Sequence, residues 1–317
     1  MTQRLLVAGG AGFIGSHIVD AALAAGLAVE VLDDLSTGRR ANVPAGVTLH
    51  HVDVRTPEAR RIVKEGRYDL LSVQAAQVDV RISVRDPHRD LDINVMGLAN
   101  LLEGAASGGV RRVVWASSGG VLYGDASVVP TPEGASKRPV SPYGVSKLAG
   151  EHLLRVLASL RGFQSVALRY ANVYGPRQDP HGEAGVCSIF AGKLMAGEGI
   201  TVFGTGRQTR DYVFVRDVAR ANLLALTAAT APALDDPDAS AFNIGTGVET
   251  SVLDLAARFG KALGTAPQVT LAPARAGELD RSALDATKAA TQLGWKPTVT
   301  LDDGIKALVD SLRTEVR

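Results

Sequence analysis

Tyr143 and Lys147 have the residue types and the spacing of an acid–base pair. They stand four residues apart in a stretch, residues 142–160, that is predicted to be a helix, so both side chains face the same way. A tyrosine hydroxyl has an ordinary pKa near ~10, too high for a base at neutral pH, but a close ammonium stabilises the phenolate and lowers that pKa. We therefore predict that Tyr143 exchanges a proton with a sugar or alcohol hydroxyl, assisted by Lys147. The alternative is a plain contact between a ring and an amine on a helix surface.

Two serines, Ser117 and Ser118, end a predicted strand that begins at Arg112. In a parallel sheet the carboxyl ends of the strands are where ligands bind. A hydroxyl there would share a hydrogen bond with the substrate oxygen and Tyr143, although serines at strand ends are also common as turn residues. Ser118 is our first choice for this role and Ser117 is the second.

A glycine-rich turn, Gly9 to Gly15, follows the first predicted strand and opens the first predicted helix. Glycines let the turn tighten and let its backbone approach a pyrophosphate closely. The helix N-terminus then offers free N–H groups and a partial positive charge to the phosphates. The position of the turn at the first strand and first helix favours a dinucleotide site over a tight turn that binds nothing.

Carboxylates follow at the ends of the next two predicted strands. Asp33 and Asp34 lie about 20 residues beyond the turn, where a carboxylate accepts hydrogen bonds from the adenosine ribose and repels a 2′-phosphate, which favours NAD over NADP. Arg39 and Arg40 follow closely and keep NADP open as an alternative. The pair Asp53-Val54 lies after the third strand, where a side chain would meet the adenine, although Asp53 alone is as readily a helix cap. With a dinucleotide bound, Lys147 would also hold the nicotinamide ribose.

The elements that position these residues alternate between short apolar strands and longer helical patterns. This alternation predicts an α/β fold, a Rossmann-type doubly wound parallel sheet with helices on both faces. The predicted strands cover residues 5–8, 29–32, 47–50, 70–74, 112–116 and 165–169, and the predicted helices cover 12–25, 57–64, 91–106 and 142–160. Thr56 is the predicted N-cap of the second of these helices, with Pro57 at its first position.

The pattern changes after residue 170, where segments shorten and carry more Gly and Pro. Helices are predicted at 217–229 and 251–263, and an exposed loop at 230–240. We predict that residues 1–170, with a return segment at about 208–244, form an NAD-binding Rossmann domain. Residues 171–207 and 245–317 are predicted to form a smaller, mixed α/β lobe that binds the substrate.

Composition narrows the classes of protein. The 317 residues carry 34 basic and 33 acidic side chains, a formal charge of +1, and this balance argues against a nucleic-acid-binding protein. A single cysteine, Cys187, forms no internal disulfide and fits a reducing compartment. No signal peptide or membrane span is recognisable, so a cytoplasmic protein is expected. The six histidines show no metal-ligand spacing beyond the adjacent pair His50-His51, so no metal site is expected.

These motifs, in this order, resemble the extended short-chain dehydrogenase/reductase family, and within it the nucleotide-sugar epimerases and dehydratases. The resemblance covers nearly the whole chain. Its markers are the turn at residues 9–15, Asp33, residues 75–80 (AAQVDV), Asn94, residues 117–118 (SS), 121–124 (VLYG), 143–147 (YGVSK), 168–172 (LRYAN), 208–212 (QTRDY), 242–247 (FNIGTG) and 275–281.

The resemblance implies an isomerase that interconverts UDP-glucose and UDP-galactose by transient oxidation at C4 with tightly bound NAD. It implies that Ala75, Ala76 and Gln77 line the nicotinamide side and that Asn94 bonds near it. With the motifs above, the predicted cofactor-binding residues are Gly9, Gly12, Phe13, Ile14, Gly15, Asp33, Asp34, Leu35, Ser36, Thr37, Gly38, Asp53, Val54, Ala75, Ala76, Gln77, Asn94, Ser117, Tyr143, Lys147 and Tyr170. The predicted catalytic residues are Tyr143, Lys147 and Ser118.

The substrate contacts are also implied by the resemblance. Asn172 would hold the diphosphate or the hexose, Arg210 and Arg275 would pair with the diphosphate, and Asp280 would reach the nucleoside ribose. The alternatives are an ion pair of Arg210 with its neighbour Asp211 and a surface acid at Asp280. The predicted substrate-binding residues are Ser118, Tyr143, Asn172, Arg210, Arg275, Asp280 and Ala283.

Departures from the family pattern bear on the reaction. Dehydratases of the family carry an acid just after the hydroxyl residue of this strand, but this chain has Gly119-Gly120, which disfavours water elimination. Counting from the strand selects Ser118 as the hydroxyl residue, whereas counting back from Tyr123 selects Gly119. The small Ala283 would leave room for an N-acetyl group, so UDP-N-acetylhexosamines are predicted as additional substrates.

Other activities remain as alternatives. Within the family they are a UDP-glucuronate 4-epimerase, a dehydratase or a 4-ketoreductase. Outside it, a non-catalytic NAD(P)-sensing protein would use the same scaffold, but such proteins usually lack the Tyr–Lys pair. The resemblance implies a homodimer packed through residues 91–106 and 142–160, and no nucleic-acid or membrane partner is expected.

Overall fold

A computed structural model describes residues 2–179, 185–227, 236–274 and 279–315 of the chain. Its strands are β1 Arg4–Ala8, β2 Ala28–Asp33, β3 Thr48–His51, β4 Leu70–Val73, β5 Arg112–Ser118, β6 Gln164–Tyr170, β7 Asn172–Tyr174, β8 Ile200–Phe203, β9 Thr209–Arg210, β10 Tyr212–Phe214, β11 Ala241–Ile244, β12 Thr250–Ser251, β13 Val269–Ala272 and β14 Arg281–Ser282. Its helices are α1 Phe13–Ala24, α2 Pro57–Glu65, α3 Val80–Arg85, α4 Pro87–Leu91, α5 Gly97–Gly108, α6 Gly119–Leu122, α7 Pro142–Arg161, α8 Val186–Met195, α9 Val215–Thr227, α10 Val252–Leu263 and α11 Leu301–Glu315.

Seven parallel strands form the central sheet, in the order β11-β6-β5-β4-β1-β2-β3. The chain winds outward from β1 to β3 and then continues at β4 on the other side of β1. Ligands of such sheets bind at this reversal, beyond the carboxyl ends of the strands. The predicted Rossmann-type α/β architecture is confirmed, and the glycine turn after β1 lies at the reversal.

Helices cover both faces of this sheet, so its strands are apolar almost throughout. On one face, α1 and α9 bury residues such as Ile18 and Val218 against β1, β5 and β6. On the other face, α2, α5 and α7 bury Leu101 and Ala158 among others. A third apolar cluster joins α8, α10 and α11 to β8 and β10 and forms the core of a smaller unit, around Phe190 and Phe259.

Short strands connect the smaller unit to the sheet. β10 pairs with β7 in parallel, β9 lies between β12 and β14, and β13 pairs with β8. β11, which comes from the predicted return segment, pairs with β6 at the edge of the central sheet. The domain boundaries themselves stay a prediction.

Two predicted helices differ from the structure. Residues 91–106 were expected to form one helix, but α4 ends at Leu91, a π-helical segment spans Asp92–Met96, and α5 begins at Gly97. The wider π-helical turn inserts an extra residue into the helix, and such segments are frequent at functional sites. The helix predicted at 217–229 is α9, which begins two residues earlier. Residues 228–235, including part of the predicted loop at 230–240, lie outside the described residues.

The predicted cap of α2 is confirmed, since the Thr56 side chain accepts a hydrogen bond from the Ala59 N–H.

Asp217 fastens α9 to the segment that leads into α11. Its buried carboxylate accepts hydrogen bonds from the backbone N–H groups of Thr298 (2.9 Å) and Val299 (3.0 Å) and from the Thr298 hydroxyl (2.6 Å). Burial raises the pKa of this carboxyl, but these hydrogen bonds outweigh burial and hold the pKa below its usual value. The stabilisation is therefore complete above pH ~4 and is lost as the pH falls through the lowered pKa.

We predict that Asp217→Ala lowers the free energy of unfolding by about 3 kcal/mol, because it leaves buried N–H donors without acceptors. Urea unfolding at pH 7 measures the change. Asp310→Ala is the control, because Asp310 is exposed and, within the described residues, its side chain makes only a 3.5 Å ion pair with Arg313 one turn away. A loss of under about 0.5 kcal/mol for Asp217→Ala, equal to that of a surface substitution, would contradict the role given to this carboxylate.

Candidate active site

Tyr143 lies in the first turn of α7, at the carboxyl edge of the sheet. The Ser141 side chain caps this helix by accepting from the Gly144 N–H, and Pro142 occupies the first helical position. The Tyr143 N–H donates to the Ser83 hydroxyl of α3 at 3.1 Å, which fixes the start of α7. The Tyr143 side chain is buried and its hydroxyl is hydrogen-bonded to Ser118. The structure thus brings together the three predicted catalytic side chains, since Lys147 is one turn further along α7.

Lys147 is directed at the sheet rather than at the Tyr143 hydroxyl. Its Nζ donates to the carbonyl of Ala116 at 2.8 Å, and lies 4.8 Å from the ring centroid of Trp115 and 5.7 Å from that of Tyr143. Burial lowers the pKa of Lys147 to about 8, against the carboxylates of Asp90 and Glu151, which raise it.

The electrostatic expectation for Tyr143 needs correction. The sequence predicts a tyrosine pKa lowered by the ammonium of Lys147, but burial raises the pKa of Tyr143 above its ordinary value, and only the Ser118 hydrogen bond opposes burial. The reason is geometric: the ammonium lies beyond the face of the ring, where it interacts with the π-system and the Ala116 carbonyl. The phenol is therefore a proton donor and acceptor whose deprotonation depends on what else enters the site.

The two serines of β5 have different surroundings. Ser118 bonds to Tyr143, whereas the Ser117 hydroxyl donates to the buried carboxylate of Glu151 at 2.5 Å. Glu151 in turn pairs with the buried guanidinium of Arg169 at 2.6 Å. Ser118 thus faces the reactive edge and Ser117 belongs to a buried polar network, so the role predicted for Ser117 at the cofactor stays a prediction.

We predict that Ser118→Ala lowers kcat by about 10- to 100-fold, because Tyr143 loses its hydrogen-bond partner. The matched variant Ser117→Ala is expected to leave kcat within about threefold and to lower the free energy of unfolding by about 1–2 kcal/mol, since Glu151 loses a donor. Steady-state kinetics and urea unfolding of both variants measure the difference. A larger kcat loss in Ser117→Ala than in Ser118→Ala would reverse the assignment.

The glycine turn packs tightly against the next strand. Gly9 has a φ of +81°, and a Cβ there would meet the Ala75 backbone nitrogen at the end of β4 at 2.5 Å. A Cβ on Gly15 would overlap the carbonyl oxygen of Gly9. A Cβ on Gly12 would have only that same oxygen nearby, at 3.3 Å, and would otherwise stand in open space before α1. Gly12 is the N-cap of α1 and supplies no side-chain cap, unlike Thr56 and Ser141 at the starts of α2 and α7.

The predicted adenosine contacts lie beside this turn. Asp33 ends β2, and its carboxylate accepts from the Ala11 N–H and the Leu35 N–H, both at 2.9 Å. Burial raises the pKa of Asp33. The exposed Asp34 carboxylate accepts from the N–H and the hydroxyl of Ser36, in the loop that continues through Thr37 and Gly38. Asp33 is therefore the carboxylate fixed against the turn.

Asp53 and Val54, which follow β3, both contact other protein residues. Asp53 is occupied by the Arg55 guanidinium at 2.5 Å, and this hydrogen bond lowers the pKa of Asp53. Val54 is buried, and a Cβ on Gly97 of α5 would meet its side chain. The structure gives both residues protein partners, and their contact with adenine stays a prediction.

The segment after β4 is held by a buried amide pair. Gln77 N–H donates to Asn94 Oδ1 at 2.9 Å, and Asn94 Nδ2 donates back to the Gln77 carbonyl at 3.0 Å. Asn94 also donates to the Ser146 hydroxyl at 3.1 Å, next to Lys147. The predicted residues Ala75–Gln77 and Asn94 therefore meet at the same edge as Tyr143 and Lys147.

Sequence reasoning missed several buried partners of this edge. Tyr170 was expected at the cofactor, but its hydroxyl accepts from Asn222 Nδ2 (2.8 Å) and donates to Gln74 Oε1 (3.2 Å). Asp90 was missed as well, although it lies four residues before Asn94, a spacing that places both side chains on one face of a helix. Gln74 and Asn222 gave no sequence signal, because they are 148 residues apart.

The predicted sugar side is assembled from distant segments. Asn172 in β7 lies across from Ser118, since a Cβ added to Gly120 would stand 3.9 Å from the Asn172 Oδ1 and 4.0 Å from the Ser118 Oγ. Arg210 is in β9, and its Nη1 donates to the Thr209 carbonyl at 2.8 Å. Asp280 is exposed, and its carbonyl accepts from the Thr209 N–H, which places it beside β9.

Two further substrate predictions have different outcomes. Ala283 has a fully buried side chain and its carbonyl accepts from the Thr131 N–H, so the space predicted beside it is not open to solvent. Arg275 lies outside the described residues. Asp211, next to Arg210, accepts from the N–H groups of Thr246, Gly247 and Leu284. It thus joins the start of β10 to the loop after β11 and to the residues that follow β14.

Comparison with known proteins now gives the family. The model of the NAD-dependent epimerase/dehydratase family matches residues 5–245. The chain belongs to this family. It is 42% identical over 318 residues to the UDP-glucose 4-epimerase of Mycolicibacterium smegmatis, and the match covers 99% of both chains.

Solved structures of the family share the whole fold. The UDP-glucose 4-epimerase of Thermotoga maritima, solved with UDP-glucose, superposes with a TM-score of 0.95 at 41% identity and covers 99% of this chain and 100% of its own. The UDP-glucose 4-epimerase of Thermus thermophilus, solved in complex with NAD, has a TM-score of 0.91 at 45% identity, with coverage of 98% and 99%. The predicted family, the enzyme class and the NAD dependence are confirmed by these findings.

The residues present fit NAD. The open, uncapped start of α1 offers N–H groups where a pyrophosphate binds, and the glycines let the backbone approach it. Asp33 ends β2 beside the turn, where a carboxylate could accept from an adenosine ribose, and Tyr143 and Lys147 stand at the other end of the same edge. Among the residues described there is no cluster of His, Cys, Asp and Glu that would hold a metal ion. None of the described helices is long and apolar enough to cross a membrane.

Proposed function

We propose that this protein is a 4-epimerase that interconverts UDP-galactose and UDP-glucose with tightly bound NAD. The observation that carries the proposal is the contact of Tyr143 with Ser118, one helical turn from Lys147, at the sheet edge that also holds the glycine turn. Similarity over the full length to enzymes named UDP-glucose 4-epimerase supports the same activity.

Each side chain has a defined task in this mechanism. NAD, when bound, supplies the reversible oxidation of the sugar at C4. Tyr143, once deprotonated, takes the proton of the sugar 4-hydroxyl and later gives it back, and Ser118 holds the reacting oxygen and the Tyr143 oxygen in one hydrogen-bonded group. Lys147 places a positive charge beyond the face of the Tyr143 ring and would hold the nicotinamide ribose. Inversion requires that the sugar present both faces of C4 to the same side chains.

The two predicted domains of the chain divide these tasks. We propose that residues 1–170 with 208–244 hold NAD, since all seven strands of the central sheet come from them, and that 171–207 with 245–317 hold the nucleotide. Asn172 and Asp280 belong to the second of these domains, whereas Arg210 lies in the return segment of the first. Arg275 is proposed to join Arg210 on the diphosphate. A firmly held nucleotide would leave the hexose free to turn.

The first test is turnover without an added redox partner. Purified protein incubated with UDP-galactose is expected to produce UDP-glucose over many cycles, with no added cofactor or reductant. A 4-ketoreductase would instead consume reduced cofactor stoichiometrically, and a dehydratase would release water and a 4-keto-6-deoxy sugar. Gly119 and Gly120 supply no acid for that elimination.

UDP-N-acetylgalactosamine and UDP-glucuronate are the comparison substrates. The small Ala283 favours acceptance of the N-acetyl sugar, although its side chain is buried. Turnover of UDP-galactose with no turnover of UDP-N-acetylgalactosamine would refute the prediction that N-acetyl sugars are substrates. It would leave the proposed epimerisation of UDP-galactose intact.

We also propose a homodimer built on the two helical segments at residues 91–106 and 142–160. Exposed apolar side chains lie on the neighbouring elements there: Val84 on α3, Met96 in the π-helical segment, and Val145 and Leu160 on α7, with exposures of 64%, 60%, 49% and 71%. A contiguous patch of such side chains would mark a protein–protein interface. Sedimentation equilibrium is expected to give twice the chain mass of 33.1 kDa, and Leu160→Glu is expected to weaken the association.

The cytoplasm is the proposed location, because the one cysteine is buried and free.

A further inference from the structure

Asp90 is a carboxylate with an unusual lack of partners. It is fully buried in α4, and among the residues that the structure describes its Oδ1 accepts only from the neutral amides of Gln77 (2.8 Å) and Asn94 (3.2 Å). Its Oδ2 is buried and has no hydrogen-bond partner within the described residues. No cation of the described part of the chain lies within ion-pair distance of it. A buried carboxylate without a cation is costly unless a positive charge nearby balances it.

Lys147 is a buried cation that likewise lacks an ion-pair partner among the described residues. Its Nζ donates to the Ala116 carbonyl, and no carboxylate in the described ranges lies within 4.0 Å of it. The other acid near it, Glu151, is already engaged by Arg169 at 2.6 and 2.9 Å and by the Ser117 hydroxyl. The charge of Glu151 is thus largely compensated by Arg169, and that of Asp90 is not.

A short hydrogen-bonded chain runs from Asp90 to the turn of α7 that carries Lys147. Asn94 Nδ2 contacts both Asp90 Oδ1 and the Ser146 hydroxyl, and Ser146 donates to the backbone carbonyl of Tyr143 at 2.9 Å. α4 packs directly on α7. Nothing in the mechanism above uses Asp90. We propose that Asp90 is a positioning residue that supplies the buried negative charge opposite Lys147 and clamps the Gln77–Asn94 pair at the end of β4.

The charge of Asp90 acts on the pKa of Lys147 in a definite direction. The titratable groups that face Lys147 are Tyr143 and Glu151 on its own helix and Asp90 on α4, while β5 presents only the Ala116 carbonyl and the Trp115 ring, and Arg169 of β6 lies beyond Glu151. Burial lowers the pKa of Lys147 to about 8, and the charge of Asp90 opposes that lowering. Without this charge, Lys147 loses its proton at a lower pH.

Asp90→Asn is the test, because it removes the charge and keeps the Oδ1 acceptor and the shape. The expected result is a fall of about one unit in the titration midpoint of Lys147, followed by NMR of ¹³Cε-labelled lysine and assigned with Lys147→Arg. Asp92→Asn is the matched control, because Asp92 follows in the π-helical segment but is exposed and pairs with Arg55 at 2.8 Å. An unchanged Lys147 midpoint in Asp90→Asn would overturn the proposal.

A double-mutant cycle provides a readout that does not depend on activity. Asp90→Asn and Lys147→Met are each expected to lower the urea midpoint of unfolding, and the double variant is expected to be more stable than the sum of the single losses predicts. Additive losses would contradict a charge balance. If Asp90→Asn alone does not fold, a folded double variant supports the proposal and an unfolded one contradicts it.

The kinetic readout rests on the proposed function. In the epimerase assay, Asp90→Asn is expected to move the alkaline limb of the kcat profile to lower pH by about one unit, with KM for UDP-galactose within about twofold of the wild-type value. A uniform loss of kcat at every pH would indicate a merely structural role and overturn the proposal. An inactive wild-type protein would refute the function alone, because the NMR titration and the stability cycle still decide the role of Asp90.

Discussion

Replacing Tyr143 by phenylalanine is expected to lower kcat by about 10³-fold or more while the protein keeps its NAD. The substitution removes one oxygen from a buried ring in the first turn of α7 and leaves the Ser141 cap and the Ser83 contact of that turn in place. The sugar hydroxyl then has no group to exchange its proton with, since Lys147 is turned to the Ala116 carbonyl. Epimerisation measured under saturating UDP-galactose checks the rate, and the nucleotide released on denaturation checks the NAD content.

Tyr68→Phe is the matched control for this change. Tyr68 is also buried, and its hydroxyl donates to Glu30 at 2.7 Å, at the opposite end of the strands from Tyr143. This variant is expected to retain kcat within about threefold. Activity retained in Tyr143→Phe would remove Tyr143 from the mechanism, and loss of NAD together with activity would mean that the hydroxyl serves binding rather than chemistry.

Replacing Gly15 by alanine is expected to weaken NAD binding by about 100-fold, the equivalent of ~3 kcal/mol. The new Cβ would overlap the carbonyl oxygen of Gly9 and crowd Gly10, so the turn has to move away from α1. That movement displaces both the backbone that approaches the pyrophosphate and the Ala11 N–H that holds Asp33. The NAD content of the purified protein and the affinity for added NAD measure the effect.

Gly134→Ala is the control, because a Cβ there meets nothing within 4 Å. It is expected to keep the wild-type NAD content. A Gly15→Ala protein that retains its NAD at wild-type affinity would show that the turn accommodates a side chain, and would contradict the close packing described here.

The parts of the site that sequence reasoning predicted are those set by local pattern or by general rules of parallel sheets. The glycine turn and Asp33 lie one βα unit apart, and both strand ends fall at the same edge whatever the details of packing. Tyr143 and Lys147 share a helix, so their common direction follows from spacing alone. Ser118 was chosen by its position at a strand end, and the structure places it against Tyr143.

What sequence reasoning missed depends on tertiary packing. The direction of the Tyr143 pKa follows from how completely the fold buries the ring and from where the Lys147 ammonium points, which a spacing rule does not contain. The Asp90 site requires the π-helical segment that turns Asn94 inward, and this segment interrupts a pattern that reads as one continuous helix. The cofactor contact of Tyr170 stays a prediction, and the partners of its hydroxyl, Gln74 and Asn222, come from distant parts of the chain.

The central claim is that one hydrogen leaves C4 of the sugar and returns to it, while Tyr143 and its neighbours handle only the proton of the oxygen. The most direct test is to convert UDP-galactose labelled with deuterium at C4, in ordinary water, and to examine the UDP-glucose by NMR. The account predicts that the deuterium stays at C4 in inverted configuration over many turnovers. Loss of the label to water would show that C4 is inverted by proton abstraction from carbon, and would contradict the account.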